Sequence, residues 1–412
     1  MIAVTDVARE RRRPRVLFVA DAVTLAHLAR PVALARAIDP ERFEVHLAAD
    51  PRFARFLGPL SCALHELETM PSDRFLDNVA RGRPLYDAAT LRAYVAADLA
   101  LLEGLRPDVV VGDHRLSLSV SARLAGVPYL SLVNAYWSPY TPTRRLPMPE
   151  LPIGRVLPSA LAAWLFRAVW PVASALQCRP LNRVRAEHGL AGLGNDWFSV
   201  YADADRTLYV DAAELVPTVD LPPSHTYIGP VSWSPAVPLP EWWDALPDDR
   251  PLVYVTLGSS GRAELLDVVL QALAGLDVLV MVTTAGKAIP RSVPSNARLV
   301  DFAPGERLAA RADLMICNGG SLTVYQALAE GKPVLGIAAH MDQQLSMSYV
   351  ESAGVGVCVR SDSLSIAGLR ARVRDLLDDS AIHLRAREMG RSIAGYDPVA
   401  RLTAVVDEVL RG

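Results

Sequence analysis

The sequence lacks the features that mark several common protein classes. Its 412 residues include only four cysteines, Cys62, Cys178, Cys317 and Cys358, too far apart for a metal site or a redox pair, which suits a reducing compartment. The net charge of −3 gives no electrostatic reason to expect a nucleic-acid partner. No Walker loop, zincin helix or Gly-x-Ser-x-Gly elbow occurs to support an NTPase, a metalloprotease or a serine hydrolase.

An uninterrupted apolar run long enough to span a bilayer, roughly 20 residues, is also missing. The most apolar stretch, Leu151–Leu176, contains three prolines and two arginines, so we expect a buried or ligand-lining helix pair and no transmembrane segment. Peripheral contact with a membrane stays open. Near the N-terminus, Arg9–Arg15 and Val16–Ala20 superficially suggest a signal peptide, but Asp21 ends the apolar run too early. We expect a disordered basic tail, then the first strand, in a cytoplasmic protein.

The chain alternates strand and helix patterns from Val16 onward, which predicts an α/β protein with parallel sheets covered by helices. Because 412 residues exceed the size of a single core, two domains are expected. The predicted division is a first domain at 1–225, a proline-rich linker at 226–250, a second domain at 251–395 and a C-terminal helix at 396–412 able to pack back on the first domain. The predicted strands are Val16–Ala20, Phe43–Ala48, Val109–Gly112, Tyr129–Val133, Arg206–Val210, Leu252–Leu257, Val278–Thr283, Ala297–Val300, Leu314–Cys317 and Val334–Ile337.

The most informative segment joins a buried strand, Leu314–Cys317, to the turn Asn318-Gly319-Gly320-Ser321 and then to a helical pattern. This order aims unpaired backbone N–H groups and the positive end of a helix dipole at an anion. Glycines let a phosphate approach the backbone closely. A second strand then leads into Asp342-Gln343, whose side chains could meet a polyhydroxylated ligand.

The same segment resembles the family pattern His-Gly-Gly-x-Gly-Thr-x-x-Glu-Ala-Leu, Gly-x-Pro, Asp-Gln, Gly-x-Gly. That pattern belongs to inverting, two-domain nucleotide-sugar glycosyltransferases of the GT-B fold, in the family that glycosylates small hydrophobic acceptors. The resemblance covers roughly the C-terminal half well and the N-terminal half more thinly. The matching stretches here are Asn318–Leu328, Gly331-Lys332-Pro333, Asp342-Gln343, Gly354-Val355-Gly356, Tyr227–Pro230, Val253–Ser259 and Asp301–Pro304.

Three positions depart from the family pattern. Asn318 replaces the usual diphosphate-facing His, Leu322 replaces the third Gly, and Gln326 replaces the ribose-facing Glu. Asn donates a neutral hydrogen bond but cannot become cationic. Gln bonds a hydroxyl less strongly than a carboxylate does. The departures bear on donor choice and affinity.

His27 is the candidate general base. It lies in the first turn of a predicted helix after strand one, where open α/β sheets bind ligands, and Thr24–Pro31 is an altered form of the family's Gly-His-x-x-Pro segment. Asp113 ends the buried strand Val109–Gly112, and the resemblance implies that it bonds the catalytic His. Plain helix capping by His27 or Asp113 stays open, and the adjacent His114 is a rival base.

The resemblance also implies a donor site made of Ser259, Pro304, Asn318, Gly319, Gly320, Ser321, Gln326, Asp342 and Gln343. It implies no cofactor and no metal, because fixed dipoles stabilise the leaving diphosphate. Arg262 could add charge beside Ser259 and Ser260. Asp203-Ala204-Asp205 imitates the metal-binding Asp-x-Asp of another glycosyltransferase fold but lies far from the nucleotide elements.

These observations predict a hexosyltransferase that moves a sugar from a UDP- or TDP-sugar to a hydrophobic small molecule, of the kind used in natural-product biosynthesis. A lipid-linked acceptor is the alternative that the apolar 151–176 stretch favours. A catalytically silent homologue, which Asn318 and Gln326 suggest, and a nucleotide-sugar epimerase of the same fold also stay open.

Overall fold

The structure, a computed structural model, describes residues 12–151, 157–258, 261–262, 264–287 and 290–411. Most of the expected basic tail therefore lies outside the described residues. Two separate parallel sheets with helices on their faces confirm the predicted α/β class and its two Rossmann-like domains. Their inner strands are runs of apolar, often β-branched residues buried on both faces, as parallel sheets require.

The first sheet has seven strands in the order β3-β2-β1-β4-β5-β6-β7, all parallel. Its strands are β1 (Arg15–Ala20), β2 (Glu44–Ala49), β3 (Ala63–Glu66), β4 (Val109–Asp113), β5 (Tyr129–Val133), β6 (Arg206–Tyr209) and β7 (His225–Tyr227). The helices of this half are α1 (Leu25–Ala37), α2 (Ala54–Leu57), α3 (Ser72–Ala80), α4 (Ala88–Leu105), α5 (Leu118–Ala125), α6 (Ser159–Glu187) and α7 (Trp197–Tyr201).

The second sheet has six parallel strands in the order β10-β9-β8-β11-β12-β13. Its strands are β8 (Leu252–Thr256), β9 (Leu279–Thr283), β10 (Ala297–Val300), β11 (Leu314–Cys317), β12 (Val334–Ala338) and β13 (Gly356–Arg360). The helices that follow in the chain are α8 (Leu265–Leu273), α9 (Gly305–Arg311), α10 (Ser321–Ala329), α11 (Met341–Ser352), α12 (Ile366–Asp378), α13 (Ser380–Ala394) and α14 (Pro398–Arg411).

The predicted domain boundary at residue 225 needs correction. Strand β7 begins at His225 and pairs with β6, so the first sheet continues into the predicted linker. Farther along that linker, Ile228, Val231 and Trp233 are buried in the apolar core of the first domain. Proline density marked this segment as irregular, but its apolar side chains still pack on the sheet.

The C-terminal helix α14 lies against the first domain, where it contacts α1 and β4. Leu402, Val405 and Val406 of α14 join the core of that domain. The Arg401 guanidinium also donates a 3.0 Å hydrogen bond to the carbonyl of Tyr227. The chain therefore begins and ends its folded part on the same domain.

Helix α6 is a single helix of 29 residues, not the predicted pair. Pro171 and Pro180 lie inside it. Each proline lacks the N–H that would complete one backbone hydrogen bond of the helix. The carbonyl that Pro171 leaves without its helical donor belongs to Arg167, a residue exposed to solvent. Packing against α4 and α7 holds the helix together across both prolines. By length and composition alone, Ala160–Glu187 passes a test for a membrane span, but one side of the helix packs on the protein.

Candidate active site

Two adjacent strands of the first sheet bring the candidate base and its partner together. Ala20, the last residue of β1, is in register with Asp113, the last residue of β4. His27 follows β1 in the first turn of α1, and its Nδ1 lies 2.9 Å from Asp113 Oδ1. Asp113 is fully buried, whereas the His27 ring is about one-fifth exposed (21%). The carboxylate therefore holds one ring nitrogen and leaves Nε2 as the nitrogen available to a ligand.

Arg30 completes this arrangement and was not predicted from the sequence. Its Nε lies 2.6 Å from Asp113 Oδ2, and one of its terminal nitrogens donates to Asp113 Oδ1 at 3.0 Å. The other terminal nitrogen donates to Asn134 Oδ1 at 2.9 Å. Arg30 lies one helical turn after His27, a spacing that puts both residues on one face of α1. That spacing is the signal by which it could have been found.

The electrostatics of the cluster favour a neutral imidazole beside an ionised carboxylate. Burial lowers the pKa of His27, the neighbouring His114 lowers it further, and the hydrogen bond that the ring donates to Asp113 offsets only part of the change. Burial alone would raise the pKa of Asp113, but Arg30 and His27 bring it below its usual value. A neutral His27 can accept a proton, and Asp113 stabilises the imidazolium that results.

The rival base, His114, is engaged on both of its nitrogens. Its Nδ1 lies 3.1 Å from the Tyr86 hydroxyl, and its Nε2 lies 3.3 Å from the Tyr201 hydroxyl. The ring stacks on His27 with 4.3 Å between centroids. His114 also has a φ of +58°, an uncommon conformation for a residue other than glycine. These contacts suit a residue that holds His27 in place.

A large cavity of about 380 Å³ opens beside His27 and is mainly apolar. Its wall comes from both domains, with Asp342 and Gln343 contributed by the second. The aromatic members of the wall are Phe75, Tyr129, Tyr136, Trp137, Phe166, Trp170, Trp197, Tyr201 and Tyr325. Such a lining suits a ligand with an aromatic or aliphatic body.

A smaller cavity of about 130 Å³ lies beside the second sheet. It adjoins the large cavity, since Ala26, Gly320 and Leu322 line both. Asn318 and Gln326 line the small cavity and not the large one. Leu322 therefore stands at the junction of the two spaces, where the family pattern has a glycine.

The glycine turn presents different amides from those expected. The N–H of Gly319 donates to Cys317 Sγ at 3.3 Å, and the N–H of Gly320 donates to Asn318 Oδ1 at 3.1 Å. Gly319 has a φ of +77° and lies against Met347, which leaves no room for a Cβ. The first N–H groups of α10, from Ser321 to Thr323, have no intrahelical acceptor and are those left for an anion.

The remaining predicted donor residues lie in several different settings. Gln326 donates through Nε2 to the Trp233 carbonyl at 2.8 Å, which ties α10 to the linker. Pro304 lies between Ala303 and Gly305, which both line the small cavity. Ser259 and the neighbouring Ser260 lie outside the described residues.

The Asp-Gln pair lines the large cavity rather than the small one. Asp342 Oδ1 accepts a hydrogen bond from Trp137 Nε1 at 2.8 Å, which joins the two domains. Gln343 Oε1 accepts the N–H groups of Ala339 and His340 and so caps helix α11. Asp342 therefore lines the cavity with one oxygen bonded to Trp137, whereas the amide oxygen of Gln343 is used by the helix cap.

Comparisons with known proteins identify the family of this chain. Residues 267–404 match the model for the erythromycin biosynthesis protein CIII-like C-terminal domain. A PGL/p-HBAD biosynthesis glycosyltransferase of Mycobacterium tuberculosis is 50% identical over 389 residues, covering 93% of this chain and 91% of its own length. A PGL/p-HBAD biosynthesis rhamnosyltransferase of Mycobacterium bovis is also 50% identical over 389 residues, covering 93% and 86%. The chain belongs to this glycosyltransferase family.

Two further comparisons refine that assignment. An inactive PGL/p-HBAD biosynthesis glycosyltransferase of Mycobacterium bovis is 54% identical over 262 residues, covering 64% of this chain and 71% of its own length. The spinosyn rhamnosyltransferase SpnG complexed with thymidine diphosphate has a TM-score of 0.66 at 22% identity, covering 95% of this chain and 99% of its own. This last likeness shows that the glycosyltransferase has the GT-B fold.

Several residues of the glycosyltransferase's small cavity were not predicted. Thr256 and Thr283 end the neighbouring strands β8 and β9, and Tyr254 bonds Thr283 through its hydroxyl at 3.1 Å. Asp301 accepts a hydrogen bond from the Thr284 hydroxyl at 2.8 Å. A polar residue at the carboxyl end of each parallel strand was the signal available in the sequence.

Two sequence features of the glycosyltransferase form ion pairs within the chain. Asp203 pairs with Arg123 and Arg185, and Asp205 accepts the N–H of Tyr129, so Asp203-Ala204-Asp205 is a structural ion-pair site. Within the described ranges, no group of three or more His, Cys, Asp or Glu side chains is placed to hold a metal ion. Arg262 pairs with Glu150 and Glu264.

Proposed function

We propose that the enzyme transfers a hexosyl group from a nucleoside-diphosphate sugar to a hydroxyl of a hydrophobic acceptor, with inversion at the anomeric carbon. The observation that carries this proposal is the position of His27. Its Nδ1 is fixed by Asp113 at 2.9 Å, and its ring faces the large apolar cavity. A base in this position can take the proton from an acceptor hydroxyl held in that cavity.

The reaction then proceeds as a single displacement. The acceptor oxygen bonds the anomeric carbon as its proton moves to His27 Nε2, and the bond from that carbon to the diphosphate oxygen breaks. Attack from the His27 side and departure on the opposite side invert the anomeric centre. Asp113 and Arg30 act through the imidazole: they hold it in place, and Asp113 balances its new charge.

The leaving diphosphate is placed at the start of helix α10. The N–H groups of Ser321, Leu322 and Thr323 and the positive end of the helix dipole stabilise its charge, and Asn318 adds a neutral amide at the small cavity. We expect no divalent metal and no further cofactor in this step. Addition of EDTA should leave turnover unchanged.

The acceptor class follows from the wall of the large cavity. Nine of its lining residues are Phe, Tyr or Trp, and they favour a phenol or another flat apolar body. The donor is proposed from the relatives, one of which is named a rhamnosyltransferase and another of which is complexed with thymidine diphosphate. A thymidine-diphosphate deoxyhexose is therefore the first donor to test, with the UDP-sugar second.

The test measures release of dTDP or UDP with and without a simple phenol, and identifies the glycoside by mass spectrometry and its anomeric configuration by NMR. Acceptor-dependent release with an inverted product supports the proposal. A retained configuration overturns the His27 mechanism. Donor binding without release, across sugars and phenols, would favour a silent homologue, a type represented by the relative named inactive.

A further inference from the structure

The outer face of helix α6 has the composition of a buried surface. Between Ala160 and Leu176 the exposed residues are apolar with one exception, Arg167. Trp164 is 62% exposed and Val172 is 65% exposed. Single exposed apolar residues are ordinary, but a continuous stripe of them on one helix marks an interaction surface.

This stripe is continuous with the wall of the large cavity. The opposite side of the same helix supplies Phe166 and Trp170 to the cavity, and Val169, half exposed, belongs to both surfaces. Gln177 joins α6 to the segment before α4 by accepting the Leu85 N–H at 3.1 Å and donating to the Arg83 carbonyl at 2.9 Å. The rim of the cavity therefore lies along the edge of the apolar stripe.

The charged residues that α6 itself carries along the stripe are of one sign. Arg167 and Arg179 lie exposed on α6 and have no acidic partner among the described residues, while Arg183 pairs with Glu187 at the end of the helix. Glu187, the last residue of α6, is the only aspartate or glutamate in that helix. A second copy docked here would bring like charges together, whereas an anionic lipid surface would complement them.

We propose that the outer face of α6 docks on an anionic lipid bilayer, with Trp164 and Val172 in the interfacial region and Arg167 and Arg179 at the headgroups. An exposed tryptophan on an apolar stripe bounded by arginines is the composition of a helix that lies in the interface. The helix does not span the bilayer, because its inner side packs on α4 and α7 and lines the cavity.

Docking in this orientation lets an acceptor dissolved in the bilayer enter the cavity along Val169 without crossing water. This second part rests on the proposed function, whereas the docking does not. Vesicle binding and glycosyl transfer are therefore measured separately, and failure of one leaves the other to be judged on its own.

The binding test is flotation of the full-length enzyme with phosphatidylcholine vesicles, with and without phosphatidylglycerol. We expect binding to the anionic vesicles that weakens with added salt. The double variant Trp164→Glu/Val172→Glu should lower the partition coefficient about tenfold or more, since it replaces two apolar anchors with charges. Arg167→Gln and Arg179→Gln should each lower it by about fivefold on anionic vesicles only.

The matched control is Leu384→Glu on α13, an exposed leucine of the second domain, half exposed like the α6 residues. It should bind as the wild type does; equal loss in this variant would assign the effect to net charge and overturn the proposal. Failure of the wild type to float with either vesicle would also overturn it. If analytical ultracentrifugation shows a dimer for the wild type and a monomer for the double variant, the face would be assigned to a second copy.

Circular dichroism and thermal unfolding show whether the double variant is folded, and the single variant Ala168→Glu provides a milder test of the same face. With a short, water-soluble phenol, the double variant should turn over as the wild type does. With a long-chain alkylphenol held in anionic vesicles, it should lose activity about in proportion to its loss of binding. If the double variant matched the wild type on both acceptors, the proposed route of acceptor delivery would be overturned, but docking on the bilayer would not.

Discussion

The two cavities that meet at Gly320 and Leu322 are built from different chemistry. The large cavity, at the first domain, holds titratable groups that are buried and paired, namely the ionised Asp113 with Arg30 and with the neutral His27. The small cavity, at the second domain, has Asp301 as the one carboxylate among its described lining residues, and no lysine or arginine among them. Its other polar groups are hydroxyls, amides and backbone.

This difference matches two tasks. Moving a proton needs a titratable group whose pKa is set by fixed neighbours, and such neighbours must be buried to act strongly. Binding a diphosphate that must later leave needs many weak, neutral donors, which a helix start and small side chains provide. We therefore expect substitutions in the first domain to alter kcat, and substitutions in the second domain to alter the affinity for the nucleotide.

The largest effect should come from His27→Ala. Loss of the general base should lower kcat by about 10²–10⁴-fold while dTDP affinity, measured by calorimetry, stays the same. His188→Ala, at an exposed histidine, is the matched control. His114→Gln should cost less than about tenfold. Near wild-type kcat in folded His27→Ala, or a larger loss in His114→Gln, would assign the proton to another group.

Asp113→Asn tests the positioning role of the carboxylate. Arg30 would keep a hydrogen-bond acceptor but lose its buried counter-ion, so the free energy of unfolding should fall by about 3–5 kcal/mol in urea titrations. Turnover should fall and its pH dependence should change, because the imidazolium loses its stabilising charge. Asp249→Asn, in an exposed pair with Arg250, is the control and should leave stability unchanged. Lost nucleotide binding with an unchanged pH profile would contradict the pairing.

Asn318 tests the neutral character of the second cavity. Asn318→Leu removes an amide that lines this cavity and holds the Gly320 N–H, and should weaken dTDP binding by roughly 1.5–3 kcal/mol in calorimetry. Asn318→His restores the residue usual in the family and should be tolerated. Its affinity gain should grow below about pH 6.5, where an unperturbed imidazole is largely cationic. The same affinity in all three proteins would make Asn318 a structural residue only.

The pH profile gives the smallest effect, about tenfold per pH unit at most. Because burial and His114 lower the pKa of His27, the base stays neutral at mildly acid pH. The acid limb of kcat/KM should therefore lie below 6.5, with activity constant above it. The free energy of unfolding should change in the same direction. Because the unfolded chain binds this proton more readily than the folded protein does, the stability that neutral His27 contributes is lost as the pH falls below 6.5.

A second group titrates near this range and needs a control. Burial raises the pKa of Asp211 to about 6, partly offset by the N–H of Ala135 and by Tyr325. In Asp211→Asn the acid limb should remain, because it belongs to His27. Disappearance of the limb in this variant would transfer it to Asp211.

The sequence by itself determined the two-sheet fold. Inner strands such as β1 and β11 are short apolar runs that have no favourable position except between two layers of helices. Strands β3, β7 and β13 were missed, and each lies at an edge of its sheet. Edge strands are only partly buried, so they do not need an apolar run that a sequence pattern can reveal. The boundary of the linker was misplaced because the edge strand β7, which begins at His225, was among those missed.

For the site, the sequence determined which residues stand at the carboxyl ends of strands, and the resemblance gave His27 and Asp113 their expected roles. Only the tertiary structure decided which groups meet. Arg30 was found beside Asp113, the amides of Gly319 and Gly320 were found turned inward, and Asp342 was found bonded to Trp137 across the domains.

Helix α6 shows the same limit most clearly. Its prolines predicted a break because local rules count only the backbone hydrogen bonds that proline removes. Packing on α4 and α7 outweighed that loss, so one continuous helix lines the cavity on one side and exposes an apolar face on the other. Local pattern fixes what each segment can form, but contacts between distant segments supply the free energy that selects among those forms.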